Sequence, residues 1–499
     1  MTDLPLFLPD PEAATALAQA IAPMLRAGDT ILLSGPVGAG KSHVARALIA
    51  ARLAALGRRE DIPSPTFTLV QSYDLGTVEI WHADLYRLSG PDEVVELGLP
   101  EAFDTAICLI EWPDRLDDLT PPEALHLTLA HRPDGAGRDA RLSGPARWAP
   151  VIAAAAEAVR RAGEITDLLA PTDFAGAERA PLAGDASARR YLRLTRDDGA
   201  TAILMDAPPD RCGPPDSFLR MTDWLRARGY SAPEVLAADP AKGLILLEDL
   251  GDAVLARQLA DDPGQEADAY RGLAALLADL HRHAPPKGLT RLDAPELGRM
   301  TRIAVDCYAR AAAGQPPAEG TPAADALDAA VAQAAARLVT GPMVLALRDF
   351  HAENIVLLPG RAGLARFGLL DYQDAVAAHP AYDLVSALQD ARRDVPPGVE
   401  AEARAHYAAL TGADPDGFSA AYALLGAQRN LRIMGVFARL AFAGGKPHYL
   451  ALLPRVWGYI QRNLAHPALA DLAAAVALHV PAPTPETLER IARPCHLTR

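Results

Sequence analysis

Thr30-Ile-Leu-Leu-Ser-Gly35-Pro-Val-Gly-Ala-Gly-Lys41-Ser42 decides the fold of the first part of the chain. A short apolar run ends in G-x-x-x-x-G-K-[ST], and Ser42 to Leu56 has helical periodicity, so the segment reads strand, loop, helix. Glycines in such a loop let successive backbone N–H groups turn toward a phosphate, and the helix that follows presents its positive end to the anion. Gly35, Pro36, Val37, Gly38, Ala39, Gly40, Lys41 and Ser42 are therefore expected to wrap the phosphates of a nucleotide, with Lys41 adding charge and Ser42 offering its hydroxyl to magnesium. Lys41 is the only lysine before Lys242 in a chain whose basic residues are almost all arginine, which sharpens that reading.

Working outward, residues 11–27 read as a helix, and short strands are expected at Phe67–Tyr73, Val78–Asp84, Ala106–Glu111 and Ala124–Ala130, alternating with helices or loops as in an α/β sheet. Residues 149–162 read as a closing Ala-rich helix. The pattern then restarts, which places a domain boundary at 162/163. A chain of 499 residues exceeds one ordinary core and suits two or three domains of roughly 100–200 residues.

Ile107-Cys-Leu-Ile110 ends in Glu111, and another apolar segment ends in Asp84, so each acid stands where a carboxylate can approach a nucleotide-bound magnesium. On the residues alone, each is equally compatible with a helix cap or a solvated strand end. Four further stretches follow the phosphate loop: Ser64-Pro-Thr-Phe-Thr-Leu-Val70, His82-Ala-Asp-Leu-Tyr-Arg-Leu88, Glu96-Leu-Gly-Leu99 and Glu111-Trp-Pro-Asp-Arg115. In this order they resemble the TsaE (YjeE) family of P-loop ATPases over nearly all of residues 1–162. The resemblance implies an ATPase that supports threonylcarbamoyl transfer to tRNA adenosine through a TsaD–TsaB complex. It also implies Ser42 and Glu111 at Mg2+, Asp84 and Glu111 as catalytic acids, Thr66 facing the nucleotide and Trp112 beside its pocket. A tryptophan after a buried strand is equally compatible with a core position, and His82 reads as a structural polar residue.

In the second part, Leu347-Arg-Asp349-Phe-His-Ala-Glu-Asn354 is followed by Leu369-Leu-Asp371-Tyr-Gln-Asp-Ala375, the D-x-x-x-x-N then D spacing of a kinase catalytic loop and metal loop. Phosphoryl transfer needs a carboxylate on the attacking hydroxyl and ligands that hold magnesium against the phosphate. Asp349 suits the first role, and Asn354 with Asp371 the second. Strands near Met343–Leu347, Ile355–Leu358 and Gly368–Leu370 are expected to carry them in a largely helical region, after a strand pair at Ala188–Thr195 and Thr201–Met205.

Gly184-Asp-Ala-Ser-Ala-Arg-Arg-Tyr191, Leu246-Leu-Glu-Asp-Leu-Gly251, Tyr382-Asp-Leu-Val385 and Gln428-Arg-Asn-Leu-Arg-Ile-Met-Gly435 resemble aminoglycoside/choline-kinase-like phosphotransferases. The combination is most similar to the AmgK-type anomeric kinases of N-acetylmuramate and N-acetylglucosamine, over about residues 165–470. The implied fold is an α/β P-loop NTPase domain (1–162) followed by an α+β protein-kinase-like, two-lobed domain (163–499). ATP and Mg2+ are the implied cofactors, with Ser187, Arg189, Arg190 and Glu248 at the nucleotide and an amino sugar as acceptor. Two departures stand out: Leu347 replaces the histidine that often precedes Arg-Asp, and Met205 stands where a phosphate-binding lysine is usual. Arg189 or Arg190 is expected to replace the missing charge. His351 reads as structural, while Asp383 and Asp390 suit sugar hydroxyls or capping equally. Another alcohol acceptor (aminoglycoside, choline, homoserine) and a non-catalytic regulatory second half are the competing readings.

A net charge of −15 argues against a general electrostatic grip on nucleic acid, so any tRNA role is expected to run through protein partners. Cys108, Cys212, Cys307 and Cys495 form no C-x-x-C pair, and no zinc site or disulfide framework is expected. Met1-Thr-Asp-Leu-Pro has no basic leader, and no apolar run reaches the roughly 18 residues of a membrane span. The chain is therefore expected to be soluble and cytoplasmic, without a membrane partner.

Overall fold

The apolar run at Thr30 is the central strand of a seven-stranded sheet in the computed structural model, which describes residues 2–182 and 189–493. The strands are β1 (Thr2–Leu8), β2 (Thr30–Ser34), β3 (Val70–Asp74), β4 (Glu79–Asp84), β5 (Ile107–Glu111), β6 (Leu125–His131) and β7 (Arg138–Gly144). Their order is β1-β7-β6-β2-β5-β4-β3. The strands β6, β2, β5 and β4 run parallel, β7 lies antiparallel between β6 and β1, and β1 and β3 form the edges.

Alternation along β2 and β5 explains why both are wholly apolar: each face is covered. Ile31, Leu33, Ile107 and Leu109 enter the core under helices Pro11–Ile21, Lys41–Ala55 and Ala149–Leu169. Leu32, Cys108 and Ile110 face Val94, Leu99 and Ala102 of two short helices. The edge strand β1 and its neighbour β7 were not expected. Arg138–Gly144 buries only Ala140, Leu142 and Gly144 inward, too little apolar content to stand out, and it becomes a strand by pairing with β1 (Thr2↔Gly144 through Leu8↔Arg138) on one side and β6 (His126↔Ser143 through His131↔Arg138) on the other.

The expected strand at Phe67 begins only at Val70, because residues 66–68 are turns. The closing helix also differs: Ala149–Leu169 runs unbroken through residues 162 and 163. Thr166 Oγ1 donates to Asp10 Oδ2 at 2.6 Å, and Asp10 caps helix Pro11–Ile21 by accepting from Ala13 N at 2.8 Å. The last turns of the helix thus belong with the first sheet, and the chain divides into Met1–Glu178 with Arg196–Asp198, and Arg179–Thr195 with Gly199–Arg499.

The second unit opens on a five-stranded sheet of order β11-β12-β10-β9-β8, made of β8 (Glu178–Pro181), β9 (Arg190–Thr195), β10 (Thr201–Asp206), β11 (Val235–Asp239) and β12 (Leu244–Glu248). A largely helical part follows, with two short ladders, Val344–Ala346 on Val376–Ala378 and Ile355–Leu357 on Phe367–Leu369. Its spine is helix Pro415–Phe442, started by Asp414, whose carboxylate accepts from Gly417 N at 2.7 Å. A Cβ at Gly435 would stand 2.4 Å from the carbonyl carbon and oxygen of Ile303, so only glycine permits this approach to helix Ala294–Ile303. Among the described residues, no helix is long and apolar enough to cross a membrane.

Candidate active sites

In the first unit, parallel pairing sets Asp84 opposite Glu111 at the ends of β4 and β5. Ser42, in the first turn of helix Lys41–Ala55, donates its hydroxyl to Glu111 Oε2 at 2.8 Å, and His82 Nε2 lies 2.9 Å from Oε1. Glu111 and His82 are both buried, so the histidine holds the carboxylate in place, as its structural reading anticipates.

Lys41 Nζ donates to the carbonyls of Gly35 at 2.7 Å and Pro36 at 3.1 Å, and it sits 3.9 Å from the centre of the Trp112 ring. Burial pulls the Lys41 ammonium below the ordinary lysine value, opposed by the Glu111 and Asp84 carboxylates. The loop is tight enough that a Cβ at Gly35, which has φ +139°, would meet Leu129 O at 2.2 Å. Trp112 holds a left-handed backbone (φ 60°) and packs against Tyr86 with ring centres 5.0 Å apart and planes tilted by 50°, beside the phosphate loop rather than deep in the core. Thr66 bonds the Ser64 hydroxyl at 2.9 Å, and its segment is tied to the site where Asp84 N donates to Leu69 O at 2.9 Å.

In the second unit, the ladder pairs Ile355 with Leu369, so Asn354 faces Leu370 with Asp371 one residue on. Leu370 N donates to Asn354 O at 3.0 Å, and Asn354 Nδ2 donates to the Asp349 carbonyl at 2.9 Å. The three expected residues are thereby gathered at one hairpin end. Arg348 (φ 74°) and Asp371 (φ 57°) both occupy the left-handed region, a costly conformation for non-glycine residues that concentrates at functional sites.

What holds this loop comes from elsewhere. Asp383 receives the backbone N–H groups of Leu347 and Arg348, the latter at 2.9 Å, and is 1% exposed, so it pins the loop rather than meeting a sugar. Asp390 is likewise buried and accepts from Arg392 N at 2.8 Å. Arg429 donates to the Arg348 carbonyl at 3.0 Å and lies 3.6 Å from Asp349 Oδ1. Burial pushes the Asp349 carboxyl up, but Arg429, His351, Arg348 and Arg432 outweigh it and hold the group below the usual aspartate value. Burial lowers the His351 imidazole. Arg429 and Arg432 were missed as site residues; their signal is the polar cluster Gln428-Arg429-Asn430 with Arg432, set between the apolar stretches Ala420–Ala427 and Ile433–Ala438 of one helix.

Asp383→Ala leaves two buried N–H donors without an acceptor and is expected to cost about 1–3 kcal/mol for each, seen as a lower urea midpoint. Burial raises the Asp383 carboxyl from 3.8 to about 7. Its stabilising contribution is therefore full below the unfolded value and lost as the pH rises through about 7. The midpoint gap between wild type and Asp383→Ala should narrow across that window.

The expected nucleotide contacts of the second unit are scattered. Arg190 is exposed and donates to Asp206 Oδ2 at 2.6 Å. Arg189 shares the lining of a small pocket with the buried Met205. Glu248 is engaged by Arg361 and lies 3.6 Å from Arg226. Ser187 lies outside the described residues, as does Cys495. A cavity of about 1510 Å³ opens beside the catalytic loop, lined by Arg348, by Arg432 and by Gln373, whose amide donates to Asp371 Oδ1 at 2.5 Å. It is roomy for a sugar, since ligand pockets usually span roughly 300–1,000 Å³.

Residues 8–140 match the family described as threonylcarbamoyl adenosine biosynthesis protein TsaE, and residues 178–421 match the phosphotransferase enzyme family. The chain is 39% identical over 353 residues to the N-acetylmuramate/N-acetylglucosamine kinase of Caulobacter vibrioides, covering 63% of this chain and 96% of that protein. Over 124 residues it is 38% identical to the TsaE of Rickettsia felis, covering 25% of this chain and 71% of that one. Among solved structures, the aminoglycoside phosphotransferase APH(3'')-Id of Streptomyces rimosus aligns with 53% of this chain and 97% of its own, at 22% identity and a TM-score of 0.37.

Proposed function

Because the chain belongs to the TsaE family through its first unit and to the N-acetylmuramate/N-acetylglucosamine kinase family through its second, we propose that it is bifunctional. The first unit is an ATPase supporting threonylcarbamoyl modification of tRNA adenosine, acting on a TsaD–TsaB-type complex and on tRNA only indirectly, in the cytoplasm. The second transfers the γ-phosphate of ATP to the anomeric hydroxyl of N-acetylmuramate or N-acetylglucosamine. The observation that carries the second activity is the gathering of Asp349, Asn354 and Asp371 beside an arginine-lined cavity.

In this reading Asp349, kept ionised by Arg429, receives the hydrogen bond of the acceptor hydroxyl, aims its oxygen and takes up its proton. Asn354 and Asp371 offer two oxygen ligands to Mg2+, a set that fits an ion which keeps waters and takes its remaining ligands from phosphate. When bound, the ion neutralises charge on the transferred phosphoryl group. Of the two arginines near the vacant lysine position, Arg189 is the one beside Met205, and we assign it the phosphate charge. In the first unit, Gly35 through Ser42 hold the phosphates, and Lys41 exchanges its carbonyl partners for phosphate oxygens. Ser42 and Glu111 hold Mg2+, Asp84 and Glu111 handle the attacking water, and Thr66 and Trp112 flank the nucleotide.

A cationic acceptor such as choline or an aminoglycoside would carry positive charge to a wall that already holds Arg348 and Arg432, which favours the amino sugar. The test is to incubate the whole chain with ATP, Mg2+ and N-acetylmuramate and read the product by phosphorus NMR. An acid-labile sugar 1-phosphate is expected; phosphate on a primary hydroxyl, or on choline or an aminoglycoside in its place, rejects the assignment. We also propose that the halves fold separately, with the division after the helix ending at Leu169 rather than at 162/163. Fragments 1–176 and 177–499 should then keep ATP hydrolysis and sugar phosphorylation respectively.

A further inference from the structure

Charge is unevenly distributed around the cavity of the second unit. Some of its lining cations are neutralised within the chain: Arg299 by Glu296, and Arg302 by Asp325 and Asp328. The lining acid Asp306 accepts the Thr321 hydroxyl at 3.1 Å. Arg348 and Arg432 are different. Among the described residues, no hydrogen bond or ion pair engages either guanidinium, although both are half-buried. The acid beside them, Asp349, is already shared with Arg429 at 3.6 Å.

Arg220, Lys287 and Arg439 also line the cavity but are exposed, so water solvates and salt screens them. Arg432 has no such relief. Burial and the like charges of Arg348 and Arg429 oppose its ionisation and outweigh Tyr382 and Asp349, which favour it. Among the described residues, its one nearby carboxylate, Asp349, makes no direct ion pair with it and is shared with Arg348 and Arg429, so the fork is open to a ligand carboxylate, which its planar geometry matches with two parallel hydrogen bonds. The placement of Arg432 on the wall is set by helix Pro415–Phe442, where Arg432, Val436 and Arg439 follow helical spacing along the cavity, held close by Gly435.

N-acetylmuramate differs from N-acetylglucosamine by a lactyl ether that ends in a carboxylate. Resting on the amino-sugar reading above, we propose that Arg432, seconded by Arg348, receives this carboxylate and sets the preference between the two sugars. Neutral N-acetylglucosamine would use the same catalytic loop without that contact.

The test uses the whole chain and compares wild type, Arg432→Met and Arg432→Lys, with kcat/KM measured for each sugar. Arg432→Met should lower the ratio of kcat/KM for N-acetylmuramate to that for N-acetylglucosamine by about tenfold to a hundredfold, as loss of a hydrogen bond between charged groups does. The fall should lie mainly in KM for N-acetylmuramate, and Arg432→Lys should restore part of it. Because Arg432 also helps keep Asp349 ionised, both sugars can slow together to a common extent, so the ratio is the readout, and circular dichroism with an unchanged melting temperature shows that the variant is folded. Equal slowing of both sugars, with the ratio kept within about threefold, would assign Arg432 to the tuning of Asp349 and overturn the proposal. If the wild type phosphorylates neither sugar, the amino-sugar reading itself fails and takes this one with it.

Discussion

Lys41→Ala should abolish nucleotide hydrolysis by the first unit while sugar phosphorylation continues at the wild-type rate. The ammonium is the one lysine charge at the phosphate loop, and its present partners are carbonyl oxygens of that same loop. Removing a preorganised cationic donor from developing phosphate charge typically costs factors of roughly a hundred to a thousand. The alanine also vacates the face of Trp112, which Lys41 now covers at 3.9 Å. Asp349 stands in a different core, built from residues of the second unit alone. Phosphate release is best followed in an Asp349→Asn background without sugar, and sugar phosphorylation in the single variant. Loss of both activities in Lys41→Ala would refute independent sites.

Asp349→Asn should slow sugar phosphorylation by roughly a hundredfold to ten-thousandfold, the usual contribution of a positioned general base. Nucleotide binding should stay near wild type, because the lost oxygen addresses the acceptor hydroxyl. Asp371→Asn is the informative contrast: it should weaken magnesium-dependent nucleotide binding as well, since Asp371 is assigned to the metal. Single-turnover rates give the first quantity and titration of a fluorescent ATP analogue with and without Mg2+ the second. If Asp349→Asn binds ATP as poorly as Asp371→Asn, the two residues do not divide the work in this way. The Asn variant also removes the negative charge that now faces Arg429, Arg348 and Arg432, so a loop disturbed by these three unbalanced arginines would show as a lower melting temperature rather than as a rate defect alone.

Much of both sites is legible in the linear chain because their chemistry is local. Eight consecutive residues, Gly35 to Ser42, carry the phosphate loop, and Asp349 to Asn354 carry most of the second site; backbone geometry over so short a stretch is set by glycines, strand ends and hydrogen-bond spacing. The same holds for β2, β5 and the hairpin that brings Asn354 to Asp371, where apolar runs announce their burial. Tertiary structure decided the rest. Arg138–Gly144 is a strand because Thr2–Leu8 and Leu125–His131 pair with it on either side, and helix Ala149–Leu169 extends past the expected boundary partly because Thr166 finds Asp10. Glu111 is fixed by Ser42 and His82 together, and the left-handed turn at Arg348 is held by Asp383 and Arg429 from helices far along the chain. An aspartate or arginine in a helix has the same local propensity whether it meets water, a backbone donor or a substrate. Its role is set by which distant groups the closed core sets against it, and in a low-dielectric interior those groups dominate its energy.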